Sequence, residues 1–321
     1  MSLSTPTSAN PSTLPNGVIP ALPTPLTVDR ELDEPALRAL IDRAVGSGVD
    51  GVLVLGSSGE VASVGTAVRE RTVEVGLDAV GGRVPVIVGV AATDLHHTRA
   101  DVERVCALPI AAVLVAPPSY GVLDQRGVIA LYEDIAGVAS TPVLGYHIPA
   151  FTGVRLEPAT VAHLAASGAL AGVKDSNRDL EYLQQVIAIG DTTDRPWFTY
   201  VGTDSLILPS ILLGAAGGIT LASSVAPGRV VRLVDAIRTG DLSTARHAQA
   251  ALTKLILALR RGPFPAGAKG ALALQGICTP TLAAPLTGLS TDELRELETA
   301  LIKLDVPDLS ALSGGVTKEE S

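Results

Sequence analysis

Residues 51–90 read GVLVLGSSGEVASVGTAVRERTVEVGLDAVGGRVPVIVGV, and this stretch decides the fold. An apolar run at 51–55 is followed by a turn of glycine and serine, then by a charged segment of helical period at 66–80 and a second apolar run at 84–90. Strands that are apolar throughout, rather than alternately apolar and polar, are buried on both faces in a parallel sheet that helices cover. The stretch therefore predicts a β-α-β unit with parallel strands.

The same alternation recurs along the chain and predicts eight strands. They are 17–22, 51–55, 84–90, 111–115, 142–146, 170–173, 198–201 and 217–221. Eight such units in about 220 residues indicate an α/β fold of the (β/α)8, or TIM barrel, type. A doubly wound dinucleotide-binding sheet is disfavoured, because the first strand runs into Pro23-Thr24-Pro25, which cannot cradle a pyrophosphate.

Three further helical segments follow the eighth unit and predict a C-terminal helical extension. They are 242–259, 265–275 and 291–304. The polar, Ser/Thr/Pro-rich start and the polar end of the chain are typical of disordered tails. We therefore expect an N-terminal tail at 1–16, the barrel at 17–240, the helical extension at 241–305 and a second tail at 306–321.

Composition excludes several classes of protein. The 321 residues include 24 Lys and Arg against 33 Asp and Glu, a formal charge of −9, so neither nucleic acid nor an anionic membrane is an expected partner. The chain has no apolar run of about 18 residues and no signal peptide at its start. Its two cysteines, Cys106 and Cys278, exclude a disulfide scaffold. We expect a soluble, cytoplasmic protein that binds a small molecule.

Lys174, at the end of the sixth apolar run, is the most informative polar residue. In a TIM barrel the active site lies at the C-terminal ends of the strands. The other four lysines lie in the extension or the tail, where we expect them to be solvated. Burial of an ammonium group is costly and favours a neutral, nucleophilic amine. Position alone leaves two interpretations open: a nucleophile, or a structural lysine paired with Asp175 or Glu60.

Two other strand ends carry polar residues. After the second strand, residues 56–60 read Gly-Ser-Ser-Gly-Glu, where Ser57 and Ser58 offer hydroxyl and backbone N–H groups to a small carboxylate or phosphate. The alternative is an ordinary turn. Tyr146 ends the fifth strand and, taken alone, is equally compatible with a core tyrosine. The five histidines form no pattern suited to a metal ion.

Taken together, these residues resemble the pyruvate-dependent class I aldolase family, which includes dihydrodipicolinate synthase, N-acetylneuraminate lyase and the 2-keto-3-deoxy-sugar-acid aldolases. The resemblance covers residues 17–304 and depends on five motifs in order. They are GSSGE at 56–60, YHIPAFTG at 146–153, GVKDS at 172–176, GTD at 202–204 and GGIT at 217–220.

The resemblance implies a role for each matching position. Lys174 would form an imine with the keto carbon of pyruvate or a 2-keto acid, and Tyr146 would carry the proton to or from the aldehyde oxygen. The positions that would hold the pyruvate carboxylate or shape its pocket are Ser57, Ser58, Gly202 and Ile219. The resemblance also implies that no metal or organic cofactor is needed, and that the chain forms a homotetramer built as a dimer of dimers.

Two positions depart from the pattern of the lysine-biosynthesis synthases. Those enzymes use an arginine for the second carboxylate of the substrate, where this chain has Phe151, and a phenyl ring cannot pair with a carboxylate. Arg155, four residues later, could reach back. Those synthases also have an interface tyrosine after the fourth strand, where either Tyr120 or Ser119 stands here. Asp204 lies at a strand mouth and could instead bind a distal hydroxyl group.

The favoured function is a Schiff-base aldolase that cleaves or forms a 2-keto acid from pyruvate and an aldehyde. Examples of its substrate are a 2-keto-3-deoxy sugar acid and 4-hydroxy-2-oxoglutarate. One alternative is dihydrodipicolinate synthase itself, which condenses pyruvate with aspartate semialdehyde, and Phe151 counts against it. The other is a barrel without catalysis that binds a ligand or forms a structural oligomer, and the presence of both Lys174 and Tyr146 counts against that.

Overall fold

A computed structural model describes residues 14–91, 93–119 and 121–306, in which eight parallel strands form one sheet. The strands are β1 (Gly17–Pro20), β2 (Val52–Val54), β3 (Val86–Val90), β4 (Ala112–Val115), β5 (Val143–His147), β6 (Gly172–Asp175), β7 (Phe198–Val201) and β8 (Gly217–Thr220). Their order is β1-β8-β7-β6-β5-β4-β3-β2, and a parallel bridge between Ala21 and Leu53 joins the two edges. The predicted TIM barrel is confirmed.

Helices follow the strands and cover the outside of the barrel. They are α1 (Glu34–Gly46), α2 (Thr66–Val80), α3 (Leu95–Cys106), α4 (Gln125–Ala136), α5 (Pro149–Thr152), α6 (Pro158–Ser167), α7 (Leu180–Ile187), α8 (Ile207–Leu212), α9 (Ala222–Val225) and α10 (Pro227–Arg238). The C-terminal extension consists of α11 (Leu242–Leu259), α12 (Ala266–Leu274) and α13 (Thr291–Lys303). In the described parts of the chain, no helix is both long and apolar enough to cross a membrane.

Side-chain caps fix where several helices begin. A carboxylate or hydroxyl before the first turn accepts a backbone N–H that has no partner inside the helix. The capping residues are Asp33, Asp94, Asp124, Asp179, Asp241 and Ser290. Each cap fixes the residue at which a loop ends and its helix begins.

The interior of the barrel is a packed core, separate from the larger core between the sheet and the helices. Its apolar side chains include Ile19, Leu53, Ile87, Leu114, Leu144 and Ile219. At the N-terminal end, Leu14 is buried, and the Tyr200 hydroxyl donates to the Pro15 carbonyl at 2.8 Å. Residues 14 and 15 therefore pack against the barrel, although the sequence analysis assigned them to the N-terminal tail.

Candidate active site

Lys174 lies on the inner face of β6, one residue before the strand ends, and is only 3% exposed. The parallel register places it beside Tyr146 of β5. Lys174 Nζ donates to Tyr146 Oη at 3.3 Å and lies 4.3 Å from the centroid of that ring. Ser57 Oγ donates to the same phenolic oxygen, also at 3.3 Å. An amine, a phenol and a hydroxyl therefore meet at the C-terminal end of the barrel.

Strand alternation separates these inward side chains from a buried pair on the outer face of the sheet. His147 and Asp175 follow Tyr146 and Lys174 in their strands, and His147 Nδ1 lies 2.7 Å from Asp175 Oδ1. Asp175 is therefore paired with a histidine and is not the partner of Lys174. Among the described residues, no group of three or more His, Cys, Asp or Glu side chains could hold a metal ion.

The other carboxylate considered as a partner of Lys174 belongs to Glu60, which pairs with Lys269 of α12. Lys269 Nζ lies 2.5 Å from Glu60 Oε1, and both side chains are fully buried. Lys269 Nζ also donates to the Thr281 carbonyl at 2.6 Å, and Glu60 Oε2 accepts from Ala283 N at 2.7 Å. The expectation that Lys269 is solvated was wrong, because it lies in an otherwise apolar, alanine-rich helix that packs beneath the turn at 56–60.

Replacing Lys269 by methionine is expected to lower the free energy of unfolding by about 3–5 kcal/mol, because the Glu60 carboxylate is left buried without its charged partner. Urea unfolding measures the change. Lys254→Met is the matched control, since Lys254 is an exposed lysine of α11, and it is expected to change the free energy by less than about 0.5 kcal/mol. A loss below about 1 kcal/mol for Lys269→Met would contradict the assigned role of the pair.

The turn at 56–60 follows β2 and is anchored at its end by the buried ion pair. Thr24 Oγ1 also donates to the Gly59 carbonyl at 2.7 Å. Ser57 and Ser58 line the cavity, and Ser58 is 5% exposed. The two serines are therefore held at fixed positions beside the amine and the phenol.

A cavity of about 480 Å³ opens at the C-terminal ends of the strands. Eight of the predicted site residues line it: Ser57, Ser58, Tyr146, Phe151, Lys174, Gly202, Asp204 and Ile219. Tyr120 lies outside the described residues. The structure thus brings together side chains and backbone from five strands or the loops that follow them.

Gly202 lies close to the side chain of Lys174. Its N–H donates to the Asp175 carbonyl at 2.6 Å, which ties the end of β7 to β6. A Cβ at this position would lie 2.0 Å from Ser176 Oγ and 3.1 Å from Lys174 Cε. A side chain at residue 202 would therefore displace the Ser176 hydroxyl and crowd the Lys174 side chain.

Comparison with known proteins identifies the family of this chain. A sequence profile described as the dihydrodipicolinate synthetase family matches residues 14–304. The chain belongs to the dihydrodipicolinate synthetase family. As a member of this family of pyruvate-dependent class I aldolases, it is an enzyme, a lyase.

Relatives of this family member carry two kinds of name. It is 37% identical over 290 residues to an uncharacterised DapA-like lyase of Halobacterium salinarum, a match that covers 90% of this chain and 94% of the relative. It is 35% identical over 274 residues to the 4-hydroxy-tetrahydrodipicolinate synthase of Salinibacter ruber, with 84% and 89% covered. The first name specifies no substrate, whereas the second names a particular synthase reaction.

Solved structures of the family are also similar to this lyase. A structure of YagE, a prophage protein of the dihydrodipicolinic acid synthase family from Escherichia coli in complex with pyruvate, gives a TM-score of 0.86 at 30% identity. That match covers 91% of this chain and 99% of the other. Dihydrodipicolinate synthase from Thermotoga maritima gives a TM-score of 0.87 at 29% identity, with 91% and 99% covered.

The distal end of this lyase's cavity has an apolar wall. Phe151 on α5 is 53% exposed, and its ring packs against Phe264 of the extension with centroids 5.7 Å apart. Arg155, which could have reached back to this place, lies 3.7 Å from Glu157 and is not part of the cavity wall. Neither residue 151 nor residue 155 therefore supplies a cation here.

Asp204 lines the cavity but is already engaged. It is 3% exposed, and its Oδ1 accepts from Ala222 N, the first residue of α9, at 2.8 Å. Burial raises the pKa of this carboxyl, although the hydrogen bonds it accepts oppose that rise. Only part of its hydrogen-bonding capacity is left for a substrate hydroxyl.

The groups around Tyr146 lower the pKa of its phenol. Burial raises the pKa of Tyr146, but the positive charge of Lys174 and hydrogen bonds with Ser57, Ser176 and Lys174 outweigh burial, so the pKa lies below its ordinary value. A phenol with a lowered pKa exchanges a proton more readily near neutral pH. Tyr146 is thereby suited to general acid–base work.

Sequence reasoning missed a group of arginines in the cavity wall. They are Arg178, Arg260 and Arg261. Arg178 follows β6, while Arg260 and Arg261 follow α11 in the extension. No local motif marks them, because the extension meets the barrel mouth only through the tertiary fold.

Proposed function

We propose that the protein is a Schiff-base aldolase that cleaves or forms a 2-keto acid from pyruvate and an aldehyde. The substrate is of the class of the 2-keto-3-deoxy sugar acids and 4-hydroxy-2-oxoglutarate. The observation that carries the proposal is the contact of Lys174 Nζ with Tyr146 Oη at 3.3 Å in the cavity at the C-terminal ends of the strands. Within the described residues, no ion pair engages Lys174, so the amine is available to a carbonyl carbon.

In the cleavage direction, the amine of Lys174 adds to the keto carbon, and loss of water forms an imine. Tyr146 gives its proton to the departing water, which leaves a protonated imine and a phenolate. The protonated imine withdraws electrons, so the C3–C4 bond breaks as the C4 hydroxyl gives its proton to the Tyr146 phenolate. The aldehyde leaves, and an enamine of pyruvate remains on Lys174. Protonation at C3 and addition of water release pyruvate and restore the amine. Synthesis is the reverse sequence.

The carboxylate next to the keto carbon is assigned to Ser57 and Ser58. Both line the cavity, and Ser57 Oγ lies 3.3 Å from Tyr146 Oη, so the serines, the phenol and the amine are close enough to contact one substrate. Hydroxyl and backbone N–H groups at such a turn bind carboxylates well. Gly202 and Ile219 complete the wall around the pyruvate unit.

Aspartate semialdehyde is expected to be a poor acceptor, although some relatives are named as synthases that belong to the alternative function. Phe151 replaces a bidentate arginine–carboxylate pair, a loss of about 10- to 150-fold in affinity. Steady-state kinetics compares pyruvate plus aspartate semialdehyde with a panel of 2-keto acids assayed for pyruvate release. A kcat/KM for the semialdehyde of about 10⁴ M⁻¹s⁻¹ or above would favour the synthase instead.

A substitution at residue 151 sharpens this comparison. Phe151→Arg is expected to raise kcat/KM for aspartate semialdehyde by about tenfold or more, because it restores a cation for the second carboxylate. Val122→Arg is the control for added charge, since Val122 is 80% exposed and does not line the cavity. Equal effects of the two substitutions would argue against Phe151 as the determinant of acceptor choice.

The proposal also includes a homotetramer, built as a dimer of dimers, in the cytoplasm. Family resemblance supports the tetramer, and the two free cysteines suit a reducing compartment. A monomeric dihydrodipicolinate synthase variant is also similar in structure, with a TM-score of 0.87. Light scattering of the purified chain decides between these states.

A further inference from the structure

The cavity that contains Lys174 has a cluster of positive charge in its wall. Arg178, Arg260 and Arg261 all line it. Arg178 and Arg260 are exposed residues, whereas Lys174 is buried, so the two guanidiniums lie toward solvent from the amine. The chain as a whole carries a formal charge of −9, so the positive charge of these arginines is opposite in sign to the net charge of the protein.

In the part of the chain that the structure describes, two of these arginines have no anionic partner. Within residues 14–91, 93–119 and 121–306, no ion pair or hydrogen bond engages the guanidinium of Arg178 or Arg260. By contrast, Arg261 pairs with Glu296, although its Nε is buried and has no hydrogen-bond partner. An anion placed in this part of the cavity would meet guanidinium groups that are not already neutralised.

The guanidiniums of Arg178 and Arg260 are close enough for the charge of one to change the pKa of the other. Partial burial and the positive charge of Arg178 lower the pKa of Arg260, and the Asp204 carboxyl opposes this effect. Two like charges that repel each other are both stabilised when an anion binds between them. An anion placed between the two guanidiniums would relieve this repulsion.

Arg178 has an unusual backbone conformation in the turn after β6. Its φ is +62°, in the left-handed region that glycine adopts more easily than arginine. The next residue, Asp179, caps α7 by accepting from Tyr182 N at 3.1 Å, which fixes the end of this turn. An arginine therefore occupies a turn position that glycine would adopt with less strain, and its side chain lines the cavity.

We propose that Arg178 and Arg260 form a subsite for a second anionic group, a carboxylate or a phosphate, at the far end of the 2-keto acid. This rests on the proposed function, because Lys174, Ser57 and Ser58 already occupy the pyruvate end of the substrate. Guanidinium groups bind both anions through two parallel N–H donors. The charge that Phe151 does not supply would thus come from the loop after β6 and from the extension.

This subsite does not favour aspartate semialdehyde. That molecule carries an ammonium group beside its carboxylate, and two guanidiniums would repel the ammonium. A chain that ends in an isolated carboxylate or phosphate meets no such repulsion. The subsite therefore selects among 2-keto acids by the charge at their far end.

The test compares three substrates on the full-length enzyme: a 2-keto-3-deoxy sugar acid with a terminal phosphate, the same acid without the phosphate, and 4-hydroxy-2-oxoglutarate. The wild type is expected to prefer one or both anionic-ended substrates, and the larger preference identifies phosphate or carboxylate. Arg178→Gln and Arg260→Gln are each expected to lower the ratio of kcat/KM for that substrate to kcat/KM for the neutral-ended one by about 10- to 100-fold.

Two controls separate binding of charge from damage to the fold. Arg155→Gln removes an arginine outside the cavity and is expected to leave the ratio unchanged. Arg178→Lys keeps a cation and is expected to retain part of the preference. Raising the salt concentration from about 0.05 to about 0.5 M should lower the ratio for the wild type, because exposed charges are screened.

Ratios within about twofold of wild type in both glutamine variants would overturn the subsite, as would a wild type that favours neither anionic substrate. Borohydride trapping of pyruvate on wild-type enzyme keeps this proposal apart from the proposed function. If trapping succeeds and the ratios do not change, the arginine subsite alone is wrong. If trapping fails, the imine mechanism is wrong.

Discussion

Replacement of Lys174 by arginine is expected to reduce pyruvate release from any 2-keto acid to the background rate. Arginine keeps the positive charge and much of the length of the side chain, but its guanidinium stays protonated and cannot form the imine. The measurement is pyruvate release with the best substrate of the panel. Lys254→Arg, which alters an exposed lysine of α11, is the matched control and is expected to behave as wild type.

Turnover by Lys174→Arg within about tenfold of wild type would contradict the assignment of Lys174 as the nucleophile. Because Lys174 is 3% exposed, the variant is first checked for wild-type unfolding behaviour. A folded but inactive variant separates the loss of chemistry from the loss of structure.

Tyr146→Phe is expected to lower kcat by about 10²–10⁴-fold, the usual contribution of a positioned general acid or base. The substitution removes the oxygen that contacts both Lys174 Nζ and Ser57 Oγ. Imine trapping with pyruvate is expected to survive in part, because Lys174 remains. The result would show that Tyr146 acts in the proton transfer that follows imine formation on Lys174.

Tyr132→Phe is the matched control for this prediction. Tyr132 is also a fully buried tyrosine, but its hydroxyl donates to the Val115 carbonyl at 2.9 Å and does not line the cavity. Its loss is expected to affect stability by about 1 kcal/mol and to leave turnover near wild type. If Tyr146→Phe also stays within about threefold of wild type, Tyr146 is a packing residue.

The sequence predicts the barrel well because the same alternation of strand and helix patterns recurs eight times. Apolar runs alternate with charged segments of helical period, and the predicted helix at 66–80 coincides with α2 (Thr66–Val80). The short helices α5 and α9 were not predicted, since four residues are too few for a helical period to appear. Leu14 was placed in a tail because burial against the barrel floor leaves no pattern in a polar segment.

The candidate site is predictable only where a motif marks it. The residues at the strand ends, such as Lys174 and Ser57, lie in short patterns that fix their position in the barrel. Arg178 and Arg260 are brought together by the packing of the extension, which no local pattern encodes. The burial of Lys269 was missed for the same reason, since its partner Glu60 lies on a distant loop.

The intact mass of the full-length enzyme after incubation with pyruvate and borohydride tests the central claim most directly. Reduction of an imine adds the mass of pyruvic acid less one oxygen atom, and peptide mapping locates the modified lysine. We predict a single adduct on Lys174 that is absent from Lys174→Arg. No added mass, or an adduct of equal yield on another lysine in both proteins, would contradict the account.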